Sequence, residues 1–373
     1  MELSNEDSLR LNVMLSNANA IRIDENKMMV YGLSDDKEFS IQLNPNCKTE
    51  KYLKMVRELL STFALGSPKG YPVFISRWIR MDQLNNIDLS KLLLLGEPEA
   101  IVAIAGSATL TNQLAKKAWW ASPTAENARF MLKNPNIAQD TMGKVLAQYL
   151  FEFLPFETES KEILNTVPLI LQRDLINQSQ KDKLWLQGKR KKVYRLGFLL
   201  QCLDQLPNEA PQRSDLETIR QFIEKNQLKH PLTDHLIKCL SQHGQSFIKT
   251  CEEVLLKPGD QDMVSTLFTV MENLFSPCQL EMNEFDQVQD IIDYTDTQID
   301  KLINSSNLNH SLLSQHFMLD DIKSLIILAQ LKESHVMPIL VRSSAIGSVL
   351  RKQLNPIFSL ILIHIKNLQT AKS

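Results

Sequence analysis

Apolar residues along this chain recur mostly at helix spacing, with one short exception near the start. Leu9, Leu11 and the run from Val13 to Leu15 form an amphipathic stretch that predicts a first helix. The rhythm then changes to alternation, with Ile21 and Ile23, then Met28 and Val30, then Phe39, Ile41 and Leu43. A period of two marks half-buried strands, and Asp24-Glu25-Asn26 and Ser34-Asp35-Asp36 supply the turns. A small antiparallel meander over residues 20 to 43 is therefore expected, with a purely structural flap as its simplest role. Helix spacing returns with Tyr52, Met55, Val56, Leu59 and Leu60, and Gly66-Ser67-Pro68 marks a stop. The apolar piece from Tyr71 to Trp78 fits a strand or a helix. After it, helix follows helix.

An internal echo lies between residues 97 and 150. Aligning Glu97-Pro98-Glu99-Ala100 with Ser122-Pro123-Thr124-Ala125 puts Ala103 on Ala128 at an offset of 25, and after three inserted residues Leu114-Ala115-Lys116 meets Met142-Gly143-Lys144. Such a unit is two short helices, each too small to bury its own apolar face, stacked on a like neighbour. The plain alternative is coincidence in an Ala-rich helical region. Pro155 and Pro168 hint at a continuation. The segment Asp204 to Ser214, with two prolines and polar filler, reads as a linker, and Lys257-Pro258-Gly259-Asp260 as a weaker break. The chain then turns acidic, through Glu281, Glu284, Asp286, Asp290, Asp293, Asp296 and Asp300, and closes with three apolar helices ending near Leu368. The expected fold is mainly α, a HEAT-like helical stack or bundle with a small N-terminal antiparallel β meander. Three parts are expected: residues 1–95 with the meander, 96–205 as the helical-repeat-like part, and 215–373 as a C-terminal helical bundle.

Composition narrows the classes. With 43% hydrophobic and 23% charged residues the chain has the balance of a globular protein, not of a disordered one. Lys and Arg total 41 against 43 Asp and Glu, so no net field draws the whole molecule to nucleic acid or an anionic membrane. Cys47, Cys202, Cys239, Cys251 and Cys278 are odd in number, scattered and never in a CxxC pair, which suggests neither a disulfide framework nor a zinc site. The N-terminus has acidic residues where a signal peptide carries positive charge. The longest apolar run, Pro356 to Ile365, is about half of the ~20 residues a spanning helix needs, so it reads as a core helix. A cytoplasmic protein without membrane insertion is expected.

One local charge feature stands out: Lys189, Arg190, Lys191, Lys192 and Arg195 put five cations into seven positions. On a helix through residues 188 to 203, Val193, Leu196, Leu200 and Leu203 form an apolar stripe with Lys191 and Arg195 opposite, provided that the preceding helix breaks at Gly188. The run would then begin a helix, the end where the dipole disfavours cations, and an anionic partner would compensate. The alternative is a solvated face paired with Asp174, Asp182 or the acidic C-terminal segment. RNA or DNA binding is a further reading, although Tyr194 is the only aromatic within the run and no helix-turn-helix, RNA-recognition or zinc-finger spacing accompanies it.

Catalytic constellations are weaker. The seven histidines form no HxxxH or HExxH. His235 and Cys239, four apart, share a helix face and have the residue types of a base and nucleophile, but a buried thiol beside a half-exposed ring is the simpler expectation. Phosphate-loop and dinucleotide fingerprints are absent, and no cofactor or metal is implied. Of the adjacent Trp119 and Trp120 on one helix, one should point outward as a contact point.

Taken with MELSNEDSLRLNV, the strings LNPNCKTEKYLKMVRELL, LLLLGEPEAIVAI, KKAWWASPTAENARFML and LPFETES resemble DsrS, the sulfur reduction protein family encoded with dissimilatory sulfite reductase in sulfur-oxidising bacteria. The likeness covers roughly residues 1 to 205. It implies a cytoplasmic accessory or regulatory protein of sulfur oxidation, working through contacts with proteins and without known enzymatic activity, cofactor or active-site residues to carry over. Cys47 lies within a matching string, yet its position after an expected strand makes it buried or turn-bound rather than an exposed sulfur carrier. The remaining expectations, in order, are an RNA- or DNA-contacting regulator and a cysteine-based sulfur carrier.

Overall fold

A computed structural model describes residues 3–35, 37–66, 89–202, 206–207, 210–228, 230–279, 284–305, 318–342 and 345–371. The piece from Tyr71 to Trp78 lies outside them, as does Glu281 at the start of the acidic segment. The fold is mainly helical with a small N-terminal three-stranded antiparallel sheet. Contacts divide the chain into two units, Met1–Phe156 with Gln172–Ile176, and Glu157–Leu171 with Asn177–Ser373.

The first unit opens with helix α1 (Asn5–Asn17), whose N-cap Ser4 side chain accepts from the Asp7 amide, followed by strands β1 (Ala20–Asp24), β2 (Met29–Ser34) and β3 (Lys37–Gln42). Strand β2 is central and pairs antiparallel with both neighbours, with Val30 opposite Ile23 and Ile41. Alternation sends Ile21, Val30 and Leu43 into one core with Leu11, Met14 and Leu15 of α1 and Tyr52, Val56 and Leu60 of α2 (Thr49–Leu65). Helix α2 ends at Gly66 in the left-handed conformation (φ 73°), at the sequence-predicted stop. One carboxylate is sealed in this core: Asp7 accepts from the Asn44 amide at 2.8 Å and from the Tyr52 hydroxyl. Burial, followed by the bond to Asp7, raises the Tyr52 pKa above its ordinary value.

A short helix α3 (Leu89–Leu92) precedes Leu93, whose carbonyl accepts from Ile21 N at 2.8 Å. Four further helices build the stack: α4 (Pro98–Ala105), α5 (Asn112–Ala121), α6 (Ala125–Leu132) and, after the single turn α7 (Pro135–Ala138), α8 (Thr141–Phe153). Helix α4 packs on α5 and α6, and α6 on α8, so the echo corresponds to two neighbouring helix pairs. The copies differ at their starts. Pro98 occupies the first turn of α4, whereas Pro123 precedes the Thr124 N-cap of α6.

Glu97 occupies the N-cap position of α4 without a side-chain capping bond and is buried, with its Oε1 2.6 Å from Arg57 Nε. Burial pushes its carboxyl pKa up to about 7 against the pull of Arg57, with Glu99 and Glu25 adding to the rise. Between about pH 5 and 7 the folded chain holds this proton while the unfolded chain has released it, so stability falls as pH rises through that window. Urea midpoints measured across pH are expected to show this slope in the native chain and a flatter profile in Glu97→Gln.

The second unit is helical among its described residues: α9 (Ser160–Ile170), α10 (Gln178–Gln187), α11 (Val193–Gln201), α12 (Leu216–Lys225), α13 (Pro231–Leu240), α14 (Gln242–Leu256), α15 (Gln261–Phe275), α16 (Val288–Ser305), α17 (Leu319–Ala329), α18 (Met337–Leu340) and α19 (Gly347–Gln369). Helix α19 packs on α14 and α17 and buries Phe358, Ile361 and Ile365, so the Pro356 to Ile365 run is a core helix as read from sequence. No helix among the described residues is long and apolar enough to cross a membrane.

The described part of the 204–214 segment is irregular, yet it is not a solvated linker. Arg213 is buried and grips Asp321 of α17 through two bonds, Nη1 to Oδ1 at 3.1 Å and Nη2 to Oδ2 at 2.5 Å. Its Nε donates to Asp215 at 2.7 Å, and Nη1 also donates to the Asn367 carbonyl at 3.2 Å. Composition misleads here because one planar guanidinium clamps irregular backbone onto a bundle. Removing one partner leaves a buried charge uncompensated, so Arg213→Ala and Asp321→Asn should each cost about 3–5 kcal/mol in denaturant unfolding. Neutral outcomes in both would mean that the clamp does not hold the segment.

Candidate interaction surface

The basic run straddles two helices: Lys189 and Arg190 lie in the turn that follows one, while Lys192 is the N-cap of the next and Arg195 falls in its first turn. Helix α10 ends at Gln187, Gly188 to Arg190 form turns, and α11 starts only at Val193. Lys189 and Arg190 therefore follow a helix C-terminus, the negative end of a dipole, where cations are favoured. No anionic partner is needed to explain them.

Arg195 is not on the surface. It is 2% exposed, because residues Val193 to Leu199 are buried all round and α11 has no solvent side over that stretch. Its Nη1 lies 3.1 Å from Glu253 Oε2 of α14, and its guanidinium stacks 4.8 Å from the Trp185 ring centre. The glycine at 188 has a steric reason: a Cβ there would lie 2.4 Å from Arg195 Cγ. Lys192 also pairs with Glu253, and Lys191 Nζ reaches the Glu157 carbonyl at 3.4 Å. Glu253 is thus the carboxylate that pairs with both Lys192 and Arg195. Only Lys189, Arg190 and Lys191 are exposed.

The two tryptophans diverge as adjacent helical residues must. Trp120 turns to the sheet, where Nε1 donates to Glu38 Oε2 at 2.8 Å and Arg22 lies 5.0 Å from its ring centre. Arg22 in turn bonds Glu38 at 3.0 Å and sits 4.5 Å from the Tyr31 ring centre. Trp119 turns to α8 and meets Tyr149 edge-on with ring centres 4.8 Å apart. Tyr149 stacks on Phe153 at 6.0 Å, and Phe153 meets Phe156 at 6.3 Å. The Tyr149 hydroxyl is fixed by the Pro123 carbonyl at 3.1 Å. Both Trp119 and Trp120 are half-buried, Phe153 is exposed, and Phe156 is 77% exposed. With Val145 also exposed one turn before Tyr149, an apolar aromatic row runs along the outer face of α8.

No family model, no curated protein and no solved structure matches this chain. The row had a signal in the sequence that pairwise reading missed. In TMGKVLAQYLFEF, Met142, Leu146 and Leu150 form the buried stripe, while Val145, Tyr149 and Phe153 repeat the same spacing one position earlier at its last two turns and beyond. A helix with two apolar stripes has more apolar arc than one neighbour can cover.

The thiol and imidazole candidates are core groups. Cys239, Cys251 and Cys278 are buried, and burial raises each thiol pKa, away from the reactive thiolate. His235 is buried rather than half-exposed, packs edge-on against Phe275 at 6.3 Å, and has its pKa lowered by burial and then by Lys238. Cys202 is half-buried with a raised pKa, and Cys47 sits in a bend with its Sγ 3.7 Å from the Lys48 carbonyl. Among the described residues, no group of three or more His, Cys, Asp or Glu is placed to hold a metal ion.

Substitutions separate structural cations from exposed ones. Arg195→Ala removes a buried charge-assisted bond and the packed stem, which should cost about 2–3 kcal/mol in thermal or urea unfolding. The double change Lys189→Ala with Arg190→Ala should stay within about 0.5 kcal/mol, as exposed sites do.

Proposed function

We propose that this chain is a non-enzymatic accessory or regulatory protein of dissimilatory sulfur oxidation that acts in the cytoplasm through protein–protein contacts. The observation carrying the contact reading is the row Trp119, Tyr149, Phe153 and Phe156, which leaves large rings exposed on a helical stack. Aromatic side chains give up apolar area at little entropic cost and are enriched where binding energy concentrates. The row is also rigid: Tyr149 is held by its hydroxyl, and Trp119 is locked edge-on against it. The sulfur-oxidation context rests on the resemblance of residues 1 to 205 to the DsrS family.

A pull-down from cells oxidising sulfur, with captured protein and RNA both identified, tests the reading. The native chain is expected to retain a defined protein. The double variant Phe153→Ala with Phe156→Ala, which removes exposed rings and leaves the buried stripe of α8 intact, should weaken that capture by roughly thirtyfold, the effect of losing about 2 kcal/mol of hot-spot energy. Equal recovery by both chains would overturn the role of the row, and capture of RNA alone would overturn the protein-contact reading.

A further inference from the structure

Strand β3 is an edge. In the sheet order β1-β2-β3 it pairs only with β2 among the described residues. The register fixes which of its main-chain groups are committed. Leu43 N donates to the Met28 carbonyl at 2.9 Å, and Ile41 and Phe39, two and four residues back, face Val30 and Gly32. Antiparallel ladders alternate, so Phe39 and Ile41 direct their N–H and C=O groups at β2, while Glu38, Ser40 and Gln42 direct theirs away from it. That leaves a row of outward donors and acceptors at the two-residue repeat another strand would match.

Beside this edge lies an apolar groove of about 520 Å3 between β3 and α1, lined by Leu9, Arg10, Val13, Met14, Phe39 and Ile41 among others. Leu9 is 67% and Val13 56% exposed, which is costly for two aliphatic side chains on one helix face. Gly32 lets the floor form, because a Cβ there would lie 2.8 Å from the Phe39 ring and 3.2 Å from Met14. Among the described residues Arg10 is the one charged residue lining the groove; its ion pair with Glu6 is exposed on both sides and readily exchanged. The nearest acid on the strand, Glu38, lies on the opposite face of the sheet, bonded to Arg22 and Trp120.

We propose that this groove and edge are a docking site for an extended segment of a partner protein, added to β3 as a fourth strand. Its outward amides and carbonyls pair with Glu38, Ser40 and Gln42. Alternate side chains of the segment are apolar and enter the groove between Leu9, Val13, Phe39 and Ile41, and an Asp or Glu answers Arg10. Main-chain pairing supplies the affinity, and the groove supplies the choice of sequence. The exposed aromatic row of α8 is a separate surface, so this proposal stands whether or not that row binds.

The test selects, on the full chain, from a library of short peptides with apolar residues at alternate positions. Binders are expected to lose at least about tenfold in affinity with Leu9→Asp and with Val13→Asp, the effect of about 1.4 kcal/mol, while Phe153→Ala leaves them unchanged. Both aspartates replace exposed side chains, so unfolding midpoints should stay close to native. With peptide bound, amide exchange should slow at Glu38, Ser40 and Gln42 but barely change at Phe39 and Ile41, and N-methylation of the peptide at alternate positions should abolish binding. Three results would overturn the proposal: no binder sensitive to both aspartates, binding without new protection at those three amides, or self-association of the chain lost in Val13→Asp, which would put a second copy on the edge.

Discussion

Helices of two or three turns do not persist alone in water, because the cost of starting a helix is spread over too few hydrogen bonds. This constraint organises the first unit. Helices α4 and α6 have eight residues each, and they exist because one apolar side is covered by the next helix in the stack. Caps supply what remains, with Thr111, Thr124 and Asp140 side chains accepting from first-turn amides. A stack built this way has an outer face, and on α8 that face carries aromatic rings where solubility alone would favour polar residues.

The second recurring device is the buried charge. Asp7, Arg195 and Arg213 sit in apolar surroundings, and each has an identified partner: Tyr52 with the Asn44 amide, Glu253, and Asp321 with Asp215. Such pairs offset the loss of solvent and add little net stability over an apolar replacement. What they fix is geometry. Arg213 ties an irregular segment to α17, Arg195 joins α10, α11 and α14, and Asp7 joins α1 to the chain after β3. Glu97 is the least well compensated, since Arg57 does not cancel the effect of its burial, and it is the group whose ionisation the fold resists.

The sheet and most helices were legible in the sequence because each depends on local periodicity. Alternation at Ile21, Ile23, Phe39 and Ile41 marked strands whose side chains meet in one core, and Gly66 marked a helix end through its own backbone preference. Arg195 was misread because a helical wheel assumes a single covered side, and α11 has neighbours on every side from Val193 to Leu199. The 204–214 segment was misread for a related reason: Asp321 lies more than a hundred positions away, and no local pattern announces a partner at that distance. The aromatic row was half visible, as Trp119, while Tyr149, Phe153 and Phe156 required the knowledge that α5 and α8 are adjacent.

The two surfaces of the first unit draw on different physics. The row on α8 offers side-chain area, so any gain there scales with apolar burial and is nearly independent of salt. The β3 edge offers main-chain groups in fixed register, which discriminate a strand from a helix before any side chain is read. They are joined through a short path, since Glu38 of β3 accepts from Trp120, the neighbour of Trp119. That path is a hydrogen bond on the face of the sheet opposite the groove, between groups that Arg22 also braces. Coupling between sites requires an element with two arrangements that each ligand biases differently. A single partner that engaged both surfaces would gain through effective concentration, without need of a conformational switch.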